Sequence, residues 1–148
     1  MRFIHTNIIA KDWKALSQFY IDVLGCSVRP PERNLSGEWV DSATGVNNAR
    51  IQGVHLNLPG YDSDGPTLEI FSYGEMIDRD PAMANSTGFA HIAFEVEAVD
   101  QTWDLALKNG GTPLGKVTTR EVAGVGILTF VYFRDPEGNI VEILSWKK

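Results

Sequence analysis

The chain carries one short plan twice. Phe3-Ile4-His5 is matched by Phe89-Ala90-His91, and Thr67-Leu68-Glu69-Ile70-Phe71 by Ile140-Val141-Glu142-Ile143-Leu144. Each half opens on an apolar, β-branched run holding a His and closes on one holding a Glu. The histidines lie 86 residues apart and the glutamates 73, so the first half carries extra loop. A repeat of this kind dictates two like modules. Two copies about a pseudo-twofold axis would bring both His–Glu pairs to one central point.

The local pattern fills in each module. Residues 2–9 alternate and predict a strand. Asp12 caps a helix whose apolar positions Trp13, Leu16, Phe19, Tyr20, Val23 and Leu24 recur at helical spacing, and Gly25 ends it. Residues 26–30 predict a short strand stopped by Pro30-Pro31. Residues 31–50, polar and Gly-containing, predict a loop with at most one short strand near residues 38–40, and a candidate lid. Residues 51–58 and 67–73 read as a hairpin. After a polar linker at 74–87, the second module predicts a strand at 88–96 and a helix at 98–109 built on Val99, Trp103, Ala106 and Leu107. Strands at 113–121, 124–133 and 139–145 follow. Asp135-Pro136-Glu137-Gly138 has the residues of a type I turn. The expected fold is α+β: one domain, 1–148, of two βαβββ modules (about 1–73 and 88–148). They form a curved mixed sheet around a central metal site, with helices outside.

Alternation sorts the side chains. His5 shares a face with Phe3, Asn7 and Ile9; Glu69 with Thr67, Phe71 and Tyr73; His91 with Phe89, Ala93 and Glu95; Glu142 with Ile140, Leu144 and Trp146. The opposite faces, with Ile4, Ile8, Leu68, Ile70, Ile92, Phe94, Val96, Val141 and Ile143, are aliphatic enough to pack under helices. Imidazoles and carboxylates inside strand runs are costly to bury unpartnered. Two of each suit one divalent cation.

Composition narrows the function. A net charge of −6 argues against a general nucleic-acid surface. No run is long enough for a transmembrane helix. The single Cys26 rules out an internal disulfide and, with no apolar leader, predicts a cytoplasmic protein.

The paired βαβββ plan, Phe-Ile-His-Thr-Asn at residues 3–7, Phe-Tyr-Ile-Asp-Val-Leu-Gly at 19–25, Gly-Phe-Ala-His-Ile-Ala-Phe at 88–94 and Phe-Arg-Asp-Pro-Glu-Gly-Asn-Ile-Val-Glu-Ile at 133–143 resemble the vicinal oxygen chelate superfamily. That group includes glyoxalase I, methylmalonyl-CoA epimerase, extradiol dioxygenases and the fosfomycin- and bleomycin-resistance proteins. The resemblance covers essentially the whole chain and implies a metal held by His5, Glu69, His91 and Glu142, one divalent ion (Ni, Mn, Co, Fe, Zn or Mg) per site. It also implies a homodimer. Extradiol dioxygenases and fosfomycin-resistance proteins do not use a carboxylate ligand at the position of Glu69. Glyoxalase I typically places an Arg and an Asn for glutathione where this chain has Ile9 and Tyr73.

The implied activity is that of a metal-dependent lyase or isomerase. It would move a proton next to a carbonyl, through a metal-bound enediolate, on a small substrate with vicinal oxygens. Glu69, Glu142 and His55 are candidate catalytic groups, and Asn7, Ile9, Asn57, Phe71 and Tyr73 candidate substrate contacts. Alternatives are glyoxalase I itself, a dioxygenase-type member, or a non-catalytic drug- or ligand-binding protein.

Overall fold

A computed structural model describes residues 1–148. The chain forms two compact units, Met1–Arg79 and Asp80–Lys148. The first runs β1 (His5–Ile9), α1 (Trp13–Leu24), β2 (Ser27–Ser36), α2 (Glu38–Thr44), β3 (Arg50–Asn57) and β4 (Thr67–Tyr73). Its strands lie in the order β1-β4-β3-β2, with β1 parallel to β4 and the other pairs antiparallel. The second runs β5 (Ile92–Glu95), α3 (Val99–Lys108), β6 (Thr112–Pro113), β7 (Thr118–Val122), β8 (Gly126–Arg134) and β9 (Ile140–Lys147). Its order is β5-β9-β8-β6, with β7 also on β8, and β5 is parallel to β9. The fold is therefore α+β, with one mixed sheet per unit.

In the first unit α1 packs on β3 and β4. Asp12 accepts hydrogen bonds from the N–H groups of Lys14 and Ala15, and Gly25, at φ 69°, closes the helix through bonds to the Ile21 and Tyr20 carbonyls. Leu16, Phe19, Tyr20 and Val23 bury against Val54, Leu56, Leu68 and Ile70. In the second unit α3 packs on β8 and β9, with the Trp103 ring edge-on to Phe133 at 6.2 Å. Val131, Phe133, Val141 and Ile143 are fully buried beneath it. The aliphatic faces chosen by alternation are these cores. Ile4, half-exposed ahead of β1, and the half-buried Ile92 and Val96 are the exceptions.

The stretch 31–50 departs from expectation. Pro30-Pro31 does not stop the strand. Pairing with β3 lapses between Arg29 and Arg33, in a bulge holding the two residues that lack an N–H donor, and then resumes to Ser36. Residues 38–44 form a helix rather than a loop or strand. Gly37 and Gly45 flank it, with Gly45 in the left-handed conformation at φ 72°. Val40 anchors it on Ala49, Ile51 and Phe71, and the Asp41 carboxylate accepts from the N–H groups of Asn48 and Ala49. A seven-residue helix with one buried side chain leaves almost no apolar period in the sequence.

Three strands are markedly shorter than expected. The one foreseen at 2–9 begins only at His5. The strand foreseen at 88–96 pairs only over Ile92–Glu95, leaving His91 at its lip. That at 113–121 splits into β6 and β7 around Gly115, whose N–H still reaches the Tyr132 carbonyl. Cys26 is buried, and burial pushes its thiol up to about 12. It is a packing residue, inert as a nucleophile at neutral pH.

Candidate metal and substrate site

Strand register builds the first polar cluster. Asn7 pairs with Glu69 across β1 and β4, Glu69 with His55 across β4 and β3, and His55 with Arg29 across β3 and β2. Paired residues share a face, so Asn7, Glu69, His55 and Arg29 form one row on the sheet face away from α1. His5, Thr67, Asn57 and Ser27 form the adjacent row.

Three groups converge on the Glu69 carboxylate. Asn7 Nδ2 donates to Oε2 at 3.2 Å. His5 Nδ1 lies 3.4 Å and His55 Nε2 3.1 Å from Oε1. The Glu69 side chain is 10 % exposed and that of His55 18 %. The His55 ring stands edge-on to Phe71, with centroids 5.7 Å apart, and Thr67 Oγ1 is 3.4 Å from its Nδ1. Burial pushes the His55 imidazole below its usual range. Glu69 opposes that shift, and Arg33, His5 and Arg29 add to it. The ring is therefore neutral at pH 7, the form that lends a lone pair.

The second unit repeats the arrangement with fewer groups. His91 Nε2 lies 3.1 Å from Glu142 Oε2. Tyr132 is the cross-strand partner of Glu142, as His55 is of Glu69. Its ring is 4.9 Å from that of His91. Burial and then the Glu142 charge push the Tyr132 phenol up, so it stays a hydrogen-bond donor. Ala93 stands where Asn7 stands in the first unit, across from Glu142. Glu69 is thus pinned by an amide, and Glu142 is not.

The remaining expected contacts have distinct settings. Ile9 is 44 % exposed at the end of β1. Asn57 accepts from Arg29 Nε at 2.6 Å and donates to Ser27 Oγ at 3.2 Å. Phe71 is buried in the cluster under α2, and Tyr73 packs on that cluster, so both are shared with the core. Tyr132 was missed from sequence. Its signal was the tight Asp135–Gly138 turn, which fixes the β8–β9 register and sets residue 132 against Glu142.

Donors at right angles or tetrahedral around a cation with bonds of about 2.1 Å sit about 3.0–3.4 Å apart. The His5–Glu69 and His91–Glu142 separations match that spacing, and neutral imidazole with carboxylate is a donor set for a borderline divalent ion. No group of three or more His, Cys, Asp or Glu side chains is already placed to hold a cation as a set. The expected four ligands are represented by one donor pair in each unit.

The family model of the glyoxalase/bleomycin resistance protein/dioxygenase superfamily matches residues 2–143. Among solved structures, a glyoxalase family protein from Bacillus cereus is similar at 18 % identity with a TM-score of 0.85, covering 100 % of this chain and 95 % of that one. A glyoxylase/bleomycin resistance protein/dioxygenase domain from Frankia sp. EAN1pec gives 18 % identity and 0.63, over 99 % and 98 % of the two chains. A glyoxalase family protein from Enterococcus faecalis gives 23 % identity and 0.61, over 97 % and 96 %. No curated protein matches the sequence. No helix is long and apolar enough to cross a membrane. With the repeated His and Glu runs built into two units of like strand order and the family model spanning almost every residue, the chain belongs to the glyoxalase/bleomycin resistance protein/dioxygenase superfamily.

Proposed function

We propose that this protein is a divalent-metal-dependent lyase or isomerase that moves a proton on the carbon next to a carbonyl of a small substrate with neighbouring oxygens. The observation that carries this reading is the convergence of His5, His55 and Asn7 on the Glu69 carboxylate, on a sheet face that the α1 core does not use. His5, Glu69, His91 and Glu142 would hold the metal, with Ni, Mn, Co, Fe, Zn or Mg all compatible with the donor types. A bound divalent cation supplies Lewis acidity that offsets charge developing on two adjacent oxygens.

The chain's own groups divide the rest of the work. Asn7 fixes Glu69 through Oε2, making it a stationary ligand. Glu142 has an imidazole at Oε2 and no amide pinning it, so its carboxylate is the freer to take up and return a proton. His55, neutral and facing Glu69 Oε1, keeps that carboxylate oriented. Tyr132 and Asn57 would donate to substrate oxygens.

The test is proton exchange. Metal-loaded protein in D2O, with a panel of small vicinal dicarbonyl and hydroxycarbonyl compounds, should catalyse exchange of the adjacent C–H, followed by NMR. Absence of protein-dependent exchange across the panel would count against the reading.

Glyoxalase I itself is a poorer match. Glutathione carries two carboxylates and needs fixed cationic or amide partners, whereas Ile9 is an exposed aliphatic and Tyr73 packs against the α2 cluster. With the hemithioacetal of methylglyoxal and glutathione, kcat/KM should stay below about 10⁴ M⁻¹s⁻¹. A higher value would make lactoylglutathione formation the activity.

We further propose a homodimer. Phe3, Ile9, Phe89 and Trp146 expose apolar surface. Sedimentation at micromolar concentration should give twice the 16.4 kDa chain mass, and a monomer mass would refute it.

A further inference from the structure

The polar face of the first sheet is cationic on an acidic chain. Its inward positions on β2, β3, β4 and β1 carry Arg29, Arg33 and one carboxylate, Glu69, while the chain as a whole bears −6. The two arginines differ in how they are used. Arg29 is committed to the fold, donating to Asn57 Oδ1, the Ser63 carbonyl and the Gly65 carbonyl, which ties the 58–66 turn to β2. Arg33 donates through Nη1 to the nearby Pro31 carbonyl and forms no ion pair.

Arg33 is half-buried. It is the cross-strand partner of Gly53, which in turn faces Phe71 and Ile9. Gly53 has no side chain to stand between, and a Cβ there would strike the Phe71 ring. One row along, on the same face, lie His55 and Glu69. A guanidinium without a carboxylate partner, beside an aromatic floor, is a planar fork open to an anion.

We propose that Arg33 is a specificity-determining residue that binds an anionic group of the substrate, a carboxylate or phosphate next to the vicinal oxygens. This deepens the functional reading above, on which it rests, by narrowing the substrate class to small oxoacids and their phosphorylated relatives. The chemistry requires only recognition, with no bond made or broken at Arg33.

The experiment uses the full-length, metal-free protein. Pyruvate, its neutral amide and inorganic phosphate are titrated separately, following the Arg33 Nε–H and His55 ring signals by NMR. Pyruvate should bind at least about tenfold more tightly than the amide. Arg33→Gln should erase that difference while keeping the wild-type amide spectrum, and Arg33→Lys should keep part of it. Phosphate moving the same signals would support the phosphorylated branch of the class, and phosphate leaving them still would support the carboxylate branch. Equal binding of pyruvate and its amide, unchanged discrimination in Arg33→Gln, or no response to pyruvate at millimolar concentration would overturn the inference. Metal loading is measured on separate samples. Discrimination without metal binding contradicts the metal-dependent reading alone, and metal binding without discrimination contradicts this one alone.

Discussion

Glu142→Ala should abolish metal loading and leave a folded protein. Glu142 belongs to β9 but points away from the residues packed under α3, and its close imidazole neighbour is His91 at 3.1 Å. Removing it deletes one of two anionic ligands, and the affinity loss should be at least about 100-fold, beyond what loss of an outer-shell partner costs. The cost to stability should be small, because the lost His–carboxylate contact is partly solvated and such pairs contribute about 0–1 kcal/mol. Metal content after dialysis and a thermal melt check both halves. Retained metal, or a collapsed fold, would show that Glu142 serves the core. Glu142→Gln should behave like the Ala variant for metal, since an amide is a much poorer ligand for a divalent ion.

Asp135→Ala should be the most damaging change outside the aliphatic core. Asp135 is 2 % exposed. Its Oδ1 accepts from the N–H groups of Glu137 and Asn139, each at 2.9 Å, and its Oδ2 from Asn139 Nδ2 at 2.9 Å. The same turn carries the Gly138 N–H to Asp135 carbonyl bond, with Gly138 at φ 87°. Truncation strands several donors at a buried turn, each costing about 1–3 kcal/mol if left unmet. A net loss of about 3 kcal/mol, or roughly 10 °C in Tm, is expected. Asp135→Asn keeps one acceptor oxygen and should lose less. A melt within about 2 °C of wild type for Asp135→Ala would mean water replaces the carboxylate. The turn matters to the site as well, because it sets the register that opposes Tyr132 to Glu142.

These residues show which parts of the molecule were legible in the sequence. Thr67–Tyr73 was readable to the residue because a Gly-, Pro- and Asp-rich turn bounds a run of strand-forming residues, and the two-residue period then put Glu69, Phe71 and Tyr73 on one face. The capped helix at Trp13–Leu24 was equally clear, since both Asp12 and Gly25 carry local signals.

What escaped reading depended on contacts distant in sequence. Helix α2 is held by one valine and by Asp41 reaching to the 48–49 backbone. The continuation of β2 beyond its prolines depends on a partner strand that absorbs a bulge. Of the site, the His and Glu positions were legible through the repeat, and His55 through its hairpin. Its approach to Glu69, the pinning by Asn7 and the contrast between Arg29 and Arg33 follow from cross-strand register, which one strand read alone does not reveal.

Whether the paired His and Glu side chains are metal ligands is decided by the metal content of the purified protein after equilibration against Ni, Mn, Co, Zn, Fe or Mg and exhaustive dialysis. About one equivalent of one of these ions per site should remain, and should be lost from the His5→Ala, Glu69→Ala, His91→Ala and Glu142→Ala variants alike. A chain that retains none of the six ions, or retains one undiminished when these residues are replaced, would contradict that assignment.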